Sequence, residues 1–436
     1  MNILSARGLR GACLATLVLP AALSHAADMP AELTLAASEQ LALSADPAVT
    51  AREARALALQ DQAVADGQLP DPKLLVGVWN VPLDDFSMKK EPSSQFRTGI
   101  RQAFPRGDSL RYRRGRTEWL SKAESAATRK VRAEIRRDVR ETFLELYYQE
   151  QAARIIERSR KLFQQLVEIT RAHYASGRVS QQDVLQAQLE LSRLDDRATR
   201  ISQAADVQRA ALSRWVGEAA WQPVDPQFPP LHALPTRAEL EAALPEHPAI
   251  RAASATVEAN QQSVKEAREQ YKPGFDVGVE YRKRFGNNAD GSDRPDQMAA
   301  MVTLDLPLFT EKRQDKHLAA SQQQAEAAIQ TREQTLRDMQ RTLATEYARW
   351  LRFGEQQKLY HDRLLREAGD NAEAAVNAYQ SGLNEFTTLM RARITELDVR
   401  LQDIRIRVDR ARTQARLLYL IPAIDTAGAR HEGAAQ

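Results

Sequence analysis

Two periodicities divide this chain of 436 residues. Over 108–176 and again over 311–381, apolar side chains recur three and four positions apart, as in Val131, Ile135, Val139, Phe143 and Leu146, or Leu336, Met339, Leu343, Tyr347 and Trp350. That spacing lays a narrow apolar stripe along an α-helix, suited to packing on other helices. Breakers are nearly absent from both stretches, so each is read as a single rod, and about 70 residues at 1.5 Å each reach ~105 Å. Each rod stops at Tyr-x-Ser-Gly, whose glycine (Gly177, Gly382) suits the left-handed position that ends a helix. Returning helices follow over Ser180–Trp215 and Glu385–Leu420, about half as long. Helices over Ala48–Gln68 and Ala249–Tyr271 can supply the missing length, stacked end to end on the returning ones.

The second periodicity is two. Phe96, Thr98 and Ile100 alternate with Arg97, Gly99 and Arg101, and Phe275, Val277, Val279 and Tyr281 alternate with Asp276, Gly278, Glu280 and Arg282. Alternation of this kind predicts half-buried strands. Four segments qualify, Lys73–Asn80, Gln95–Phe104, Phe275–Arg282 and Gln297–Leu306. Polar, turn-rich loops join them into two hairpins.

The two halves are copies. Asp46-Pro47 aligns with His247-Pro248, Pro72 with Pro273 and Gly77 with Gly278 at an offset of 201, Phe104-Pro105 with Leu306-Pro307 at 202, and Tyr174–Gly177 with Tyr379–Gly382 at 205. Residues 27–220 and 236–421 are therefore two repeats in the same order. Between them, 221–235 holds prolines at 223, 226, 229, 230 and 235 and is read as a linker. Residues 422–436 are read as a loose C-terminal tail.

Composition narrows the function. Lys and Arg number 61 against 58 Asp and Glu, a net charge of +3, with no basic excess to mark a nucleic-acid reader. Arg7 and Arg10, the apolar run Ala12–Leu23 and Ser24-His25-Ala26 read as a secretory signal over 1–26, cleaved before Ala27. The single cysteine, Cys13, lies inside it, so disulfides, thiol catalysis and acylation of an N-terminal cysteine are not expected in the exported chain. No apolar run is long enough for a transmembrane helix, and any membrane span must be a β-barrel.

Taken together, the order and duplication of these segments resemble the TolC-like outer-membrane efflux proteins over essentially the whole exported chain. The segments that carry the likeness are the repeated Asp46/His247-Pro opener, Pro70-Asp-Pro-Lys-Leu-Leu-Val-Gly-Val78, Gln102–Gly107, and Tyr174–Ala187 with its twin Tyr379–Ala392. Pro70–Gly107 most resembles the heavy-metal (copper or cobalt–zinc–cadmium) branch. The resemblance implies a mainly α fold with a small β part: a duplicated α-helical coiled-coil barrel plus four strands per chain, pooled by a homotrimer into a twelve-stranded transmembrane barrel. Four strands alone leave edges that cannot sit in lipid, which argues the same way. Phe96, Thr98, Ile100, Phe275, Val277, Val279 and Tyr281 would then face lipid, and Arg97, Arg101, Asp276, Glu280 and Arg282 the barrel lumen. A small soluble sheet with one wet face is the alternative.

The resemblance also implies a passive efflux duct in the outer membrane of a Gram-negative bacterium, with a long periplasmic extension that docks a periplasmic adaptor and an inner-membrane pump of the RND type. The periplasmic tip, both docking point and gate, would hold Tyr174, Gly177, Arg178, Val179, Asp183, Tyr379, Gly382, Leu383 and Glu385. Asp183 matches an acidic tip position and in three copies would ring the axis; the alternative is a first-turn aspartate favoured at a helix N-terminus. The family's paired acidic positions of the second repeat fall on Thr388 and Arg391, a departure that removes a double aspartate ring. No cofactor is expected, no metal site is readable among the scattered histidines, and no phosphate loop, Gly-x-Ser-x-Gly or zinc-protease motif occurs, so an enzyme is disfavoured. A periplasmic coiled-coil scaffold, or a TolC-like duct for drugs or type I protein secretion, remains as the alternative.

Overall fold

A computed structural model describes residues 32–44, 46–383 and 385–422. The expected signal segment with its expected cleavage site, and residues 423–436 of the expected tail, lie outside the described residues. The first half runs α1 (Leu35–Ser44), α2 (Pro47–Asp66), β1 (Lys73–Trp79), β2 (Gln95–Phe104), α3 (Ser109–Ala175) and α4 (Gln181–Val216). After a 3₁₀ turn (Gly217–Trp221) come α5 (Arg237–Ala243), α6 (Pro248–Glu269), β3 (Gly274–Arg284), β4 (Gln297–Asp305), α7 (Gln314–Leu359), α8 (Leu365–Gln380) and α9 (Phe386–Tyr419).

The long helices dictate the shape. α3 is one helix of 67 residues, which at 1.5 Å per residue extends ~100 Å. Along its upper part lies α2, fixed by the bond from Ser121 Oγ to the Ala56 carbonyl (2.9 Å) and by the pair Arg52–Glu124 (2.9 Å). Along its lower part lies α4, tied by Arg160–Asp195 (2.6 Å) and Arg209–Glu150 (2.7 Å). Together α2 and α4 cover the length that neither could alone. In the second half, α7 and α8 make the corresponding rod, joined through a π-helical turn at Tyr360–Leu364. That turn inserts one residue into the hydrogen-bond ladder, a local irregularity the first rod does not share.

Three apolar clusters hold the rods together. One joins α1, α3, α4 and α9 around Val139, Phe143, Leu144 and Val408. A second joins α3, α4, α8 and α9 toward the Tyr-x-Ser-Gly end. The third joins α5, α6, α7 and α9 around Leu240, Leu343 and Leu418. An ion-pair ladder links the halves: Glu145 accepts from Arg405 (2.9 Å) and Arg412 (2.8 Å), and Glu141 accepts from Arg416 (2.7 Å).

The proline-rich stretch 221–235 is packed into this waist. Val224 is buried and bridges Leu33 in parallel, the Pro226 carbonyl accepts from the Tyr147 hydroxyl (3.1 Å), and Phe228 sets the edge of its ring against Tyr147. Short α1 and α5, which the apolar periodicity did not mark, belong to the same waist.

The strands form one antiparallel sheet in the order β1-β2-β3-β4, the hairpins being joined through β2 and β3. Phe104 and Phe275 stack at 4.9 Å where both strands meet the helices. Below them Arg106 donates to the Gln270 carbonyl (2.7 Å), and Glu269 accepts the Asp108 N–H (2.8 Å).

Candidate functional site

Both ends of the molecule carry features that packing alone does not require. At the far end of the rods, α3 and α8 close with the same hydrogen-bond pattern. Gly177 N–H donates to the Tyr174 carbonyl and Arg178 N–H to that of His173, while Gly382 N–H donates to Tyr379 and Leu383 N–H to Ala378, each within 2.9–3.1 Å. These are Schellman closures, which place the C′ residue in the left-handed region; Gly177 has φ 71° and Gly382 φ 72°. Tyr-x-Ser-Gly is thus a helix stop with a backbone reason.

Past the turns the two repeats differ. Ser180 caps α4: its hydroxyl accepts the Asp183 N–H, and the Asp183 carboxylate accepts the Ser180 N–H (2.9 Å) and hydroxyl (2.8 Å). Asp183 is therefore engaged in a reciprocal cap. Glu385 stands at the same place before α9 without capping it, its carboxylate accepting instead from the Thr387 hydroxyl at 3.3 Å. Tyr174 is 48% exposed and Tyr379 only 9%. Tyr379 packs on Phe386 (5.7 Å) and His173 (5.9 Å), and burial pushes its hydroxyl above the usual phenol range. Leu383 is 80% exposed, with Arg178 exposed and Val179 half-buried in the facing turn.

At the opposite end, strand pairing sorts the sheet into two faces. On one, Ile100 pairs with Leu74 and Val279, Thr98 with Val76 and Tyr281, and Val277 with Gln102 and Val302. Phe96 and Phe275 share it. This face is apolar and largely open. On the other, Arg97 pairs with Arg282, Gly99 with Glu280, Arg101 with Gly278, and Asp276 with Ala103 and Thr303. Lys73, Trp79, Arg284, Met301 and Asp305 join that polar face by register, a placement that residue alternation within one strand could not supply. Glycine makes room there. A Cβ on Gly99 would lie 2.6 Å from the Val279 carbonyl oxygen and 2.8 Å from Glu280 Cγ.

The outer loops are latched together. Arg294 donates to the carbonyls of Lys89 (3.2 Å), Glu91 and Phe285 (both 3.0 Å), and Asp296 accepts from Tyr281 and Lys283. Among the described residues, no group of three or more His, Cys, Asp or Glu is placed to hold a metal, and no helix is long and apolar enough to cross a membrane.

Residues 240–421 match the family described as outer membrane efflux protein. Over this stretch the second repeat is similar to that family. The fold extends the likeness to the first half. The outer membrane protein VceC from Vibrio cholerae superposes with a TM-score of 0.74 at 18% identity, over 89% of this chain and 95% of its own. The open state of the MtrE outer membrane channel of Neisseria gonorrhoeae gives 0.74 at 15% identity, over 89% and 88%. CusC, solved in conformations that accompany transmembrane channel formation, gives 0.74 at 14%, over 89% and 92%. No curated protein sequence matches the chain. The outer membrane efflux family and these structures are channels rather than enzymes, and the helical body with its small antiparallel sheet is theirs.

Proposed function

We propose that the chain is one third of a passive outer-membrane efflux duct, working with a periplasmic adaptor and an inner-membrane pump of the RND type. The observation that carries this reading is the sheet. One face is mainly apolar and open, with Lys283 at its far end, the other is charged, and β1 and β4 each present an unpaired edge. Exposed edges and an open apolar face of this size are aggregation hazards in water. Both are resolved at once if three copies pair β4 to β1 around an axis, with the apolar face toward lipid and the charged face toward the lumen.

In this arrangement the helical rods extend into the periplasm, and Gly177, Arg178, Val179, Asp183, Gly382, Leu383 and Glu385 form the tip that meets the adaptor. Exposed Tyr174 belongs to that docking surface and buried Tyr379 to the packing that holds the gate. Export through a cleaved signal, without a lipid anchor, completes the reading. The likeness of Pro70–Gly107 to the heavy-metal branch makes metal ions the favoured cargo, with selection left to the pump. The test is the state of the protein in outer-membrane fractions. A heat-modifiable trimer supports the duct, whereas soluble periplasmic material supports a coiled-coil scaffold instead.

A further inference from the structure

The charged face of the sheet carries more positive than negative side chains, and its arrangement costs stability. Two like-charged pairs stand directly opposite each other across strands, Lys73 against Arg101 and Arg97 against Arg282. Such pairs are destabilising in a sheet unless something else selects them. Each outer arginine is held in place. The Arg97 guanidinium lies 4.4 Å over the Trp79 ring. Arg282 pairs with Glu280 at 3.2 Å, yet its buried Nε has no hydrogen bond. Arg284 donates to the Pro92 carbonyl at 3.0 Å.

Five cations on this face (Lys73, Arg97, Arg101, Arg282, Arg284) meet three acids (Asp276, Glu280, Asp305), a surplus of two per chain and six in a trimer. The two aspartates lie at the helix end of the sheet. From the Lys73–Arg101 row outward, Glu280 is the one acid among the strand positions of this face, and Arg282 already pairs with it.

We infer that the outer part of the barrel lumen is an anion-attracting collar, built from Arg97, Arg282 and Arg284 above Arg101 and Lys73, which accepts multivalent oxyanions and anionic complexes over free cations. The inference rests on the trimeric duct proposed above. Charge of one sign on the walls of a narrow passage focuses the field within it. Rings of arginine or lysine select anions in pores, and guanidinium forks suit oxyanions. A metal cargo would pass this level more readily as an anionic or neutral complex than as the bare ion.

Purified trimers in planar lipid bilayers, probed with inorganic tripolyphosphate, test it. Tripolyphosphate added to one side should reduce the conductance, and raised salt should relieve the block. Arg97→Gln with Arg282→Gln should weaken the block by about ten-fold or more and shift the reversal potential toward cations. Arg97→Lys with Arg282→Lys, which keeps the charge, should retain the block. Arg284→Gln, away from the paired arginines, should weaken it alone, so the inference does not depend on the double variant inserting. Block unchanged in Arg284→Gln and the double glutamine variant, or block by magnesium and not by tripolyphosphate, would overturn the collar while leaving the duct standing. Wild-type protein that forms no trimer and does not insert into the bilayer would overturn the duct, and the collar with it.

Discussion

The Tyr379 hydroxyl lies 3.5 Å from His173 Nδ1, so two residues 206 positions apart meet at the tip of the helical body. Tyr379 and Tyr174 occupy the same place in the two repeats, yet only Tyr379 is turned inward, onto Phe386 and His173. A duplicated motif has been divided between packing and exposure. Tyr379→Ala should cost roughly 3 kcal/mol by leaving a cavity between α3, α8 and α9, whereas Tyr174→Ala should fall within about 0.5 kcal/mol of wild type. Hydrogen exchange over 165–185 and 375–390 would separate them: faster exchange in Tyr379→Ala alone supports the division, and equal effects refute it.

The tip glycines make a second prediction. A Cβ at either Gly177 or Gly382 meets nothing within 4 Å, so the cost of substitution is the backbone strain of the left-handed conformation alone. That is about 1–2 kcal/mol for a non-glycine residue, too little to unfold rods of this length. Bulky substitutions at Gly177 or Gly382 should preserve trimer yield and abolish export. Loss of trimers together with export would make these turns folding elements instead.

Strand parity predicts the response of the sheet. Val277→Arg places a charge on the apolar face and should cost roughly 2–4 kcal/mol near the middle of a membrane, while Glu280→Gln on the opposite face should leave trimers intact. Glycines give an independent contrast. Gly99→Val should block assembly, because its Cβ would fall 2.6 Å from the Val279 carbonyl oxygen, while Gly77→Ala meets nothing within 4 Å and should be tolerated. Comparison of trimer content in membrane fractions checks all four; equal tolerance of Val277→Arg and Glu280→Gln would reverse the assignment of the faces.

His247 supplies a pH dependence. It replaces Asp46 of the first repeat as the residue that caps the following helix, and it is 1% exposed. Its Nδ1 accepts the Ala249 N–H, and its Nε2 lies 3.2 Å from the Tyr419 carbonyl, a pattern that fits the neutral ring protonated at Nε2. Burial lowers its pKa from 6.5 to about 4, and burial likewise pushes the neighbouring Tyr419 hydroxyl up to about 12. Because the unfolded chain binds this proton more readily than the folded one, stability is complete above pH 6.5 and falls as pH drops toward 4. The loss is of the order of 3 kcal/mol. His247→Asn keeps a capping side chain without the titration, so its melting temperature should vary less between pH 6.5 and 4. An identical pH profile in both proteins would remove His247 from the cause.

Much of this was legible because long helices and alternating strands write strong periods. The rods end within a residue or two of Tyr-x-Ser-Gly since the Schellman closure is local, set by glycine and the carbonyls just before it. The waist was harder. α1 and α5 span only 10 and 7 residues, too short for a helical period to emerge. The stretch 221–235 shows five prolines but gives no hint that Val224 and Pro226 pack against α3 and Leu33. In the sheet, alternation within β2 and β3 separates the two faces, but the company Lys73 and Arg284 keep with Arg101 and Arg97 depends on cross-strand register. At the tip, the inward turn of Tyr379 could not be read from a motif that Tyr174 shares.

The central claim is orientation: the Tyr-x-Ser-Gly turns meet the adaptor, and the loop between β3 and β4 faces the outside. The one cysteine of the sequence, Cys13, lies in the segment expected to be removed as a signal, so introduced cysteines should report without background. Cysteines at Val179 or Leu383 should crosslink to the adaptor in cells with an assembled pump complex, while cysteines placed in 286–294 should not. Crosslinks from 286–294, with none from Val179 or Leu383, would invert the molecule and contradict the export mechanism.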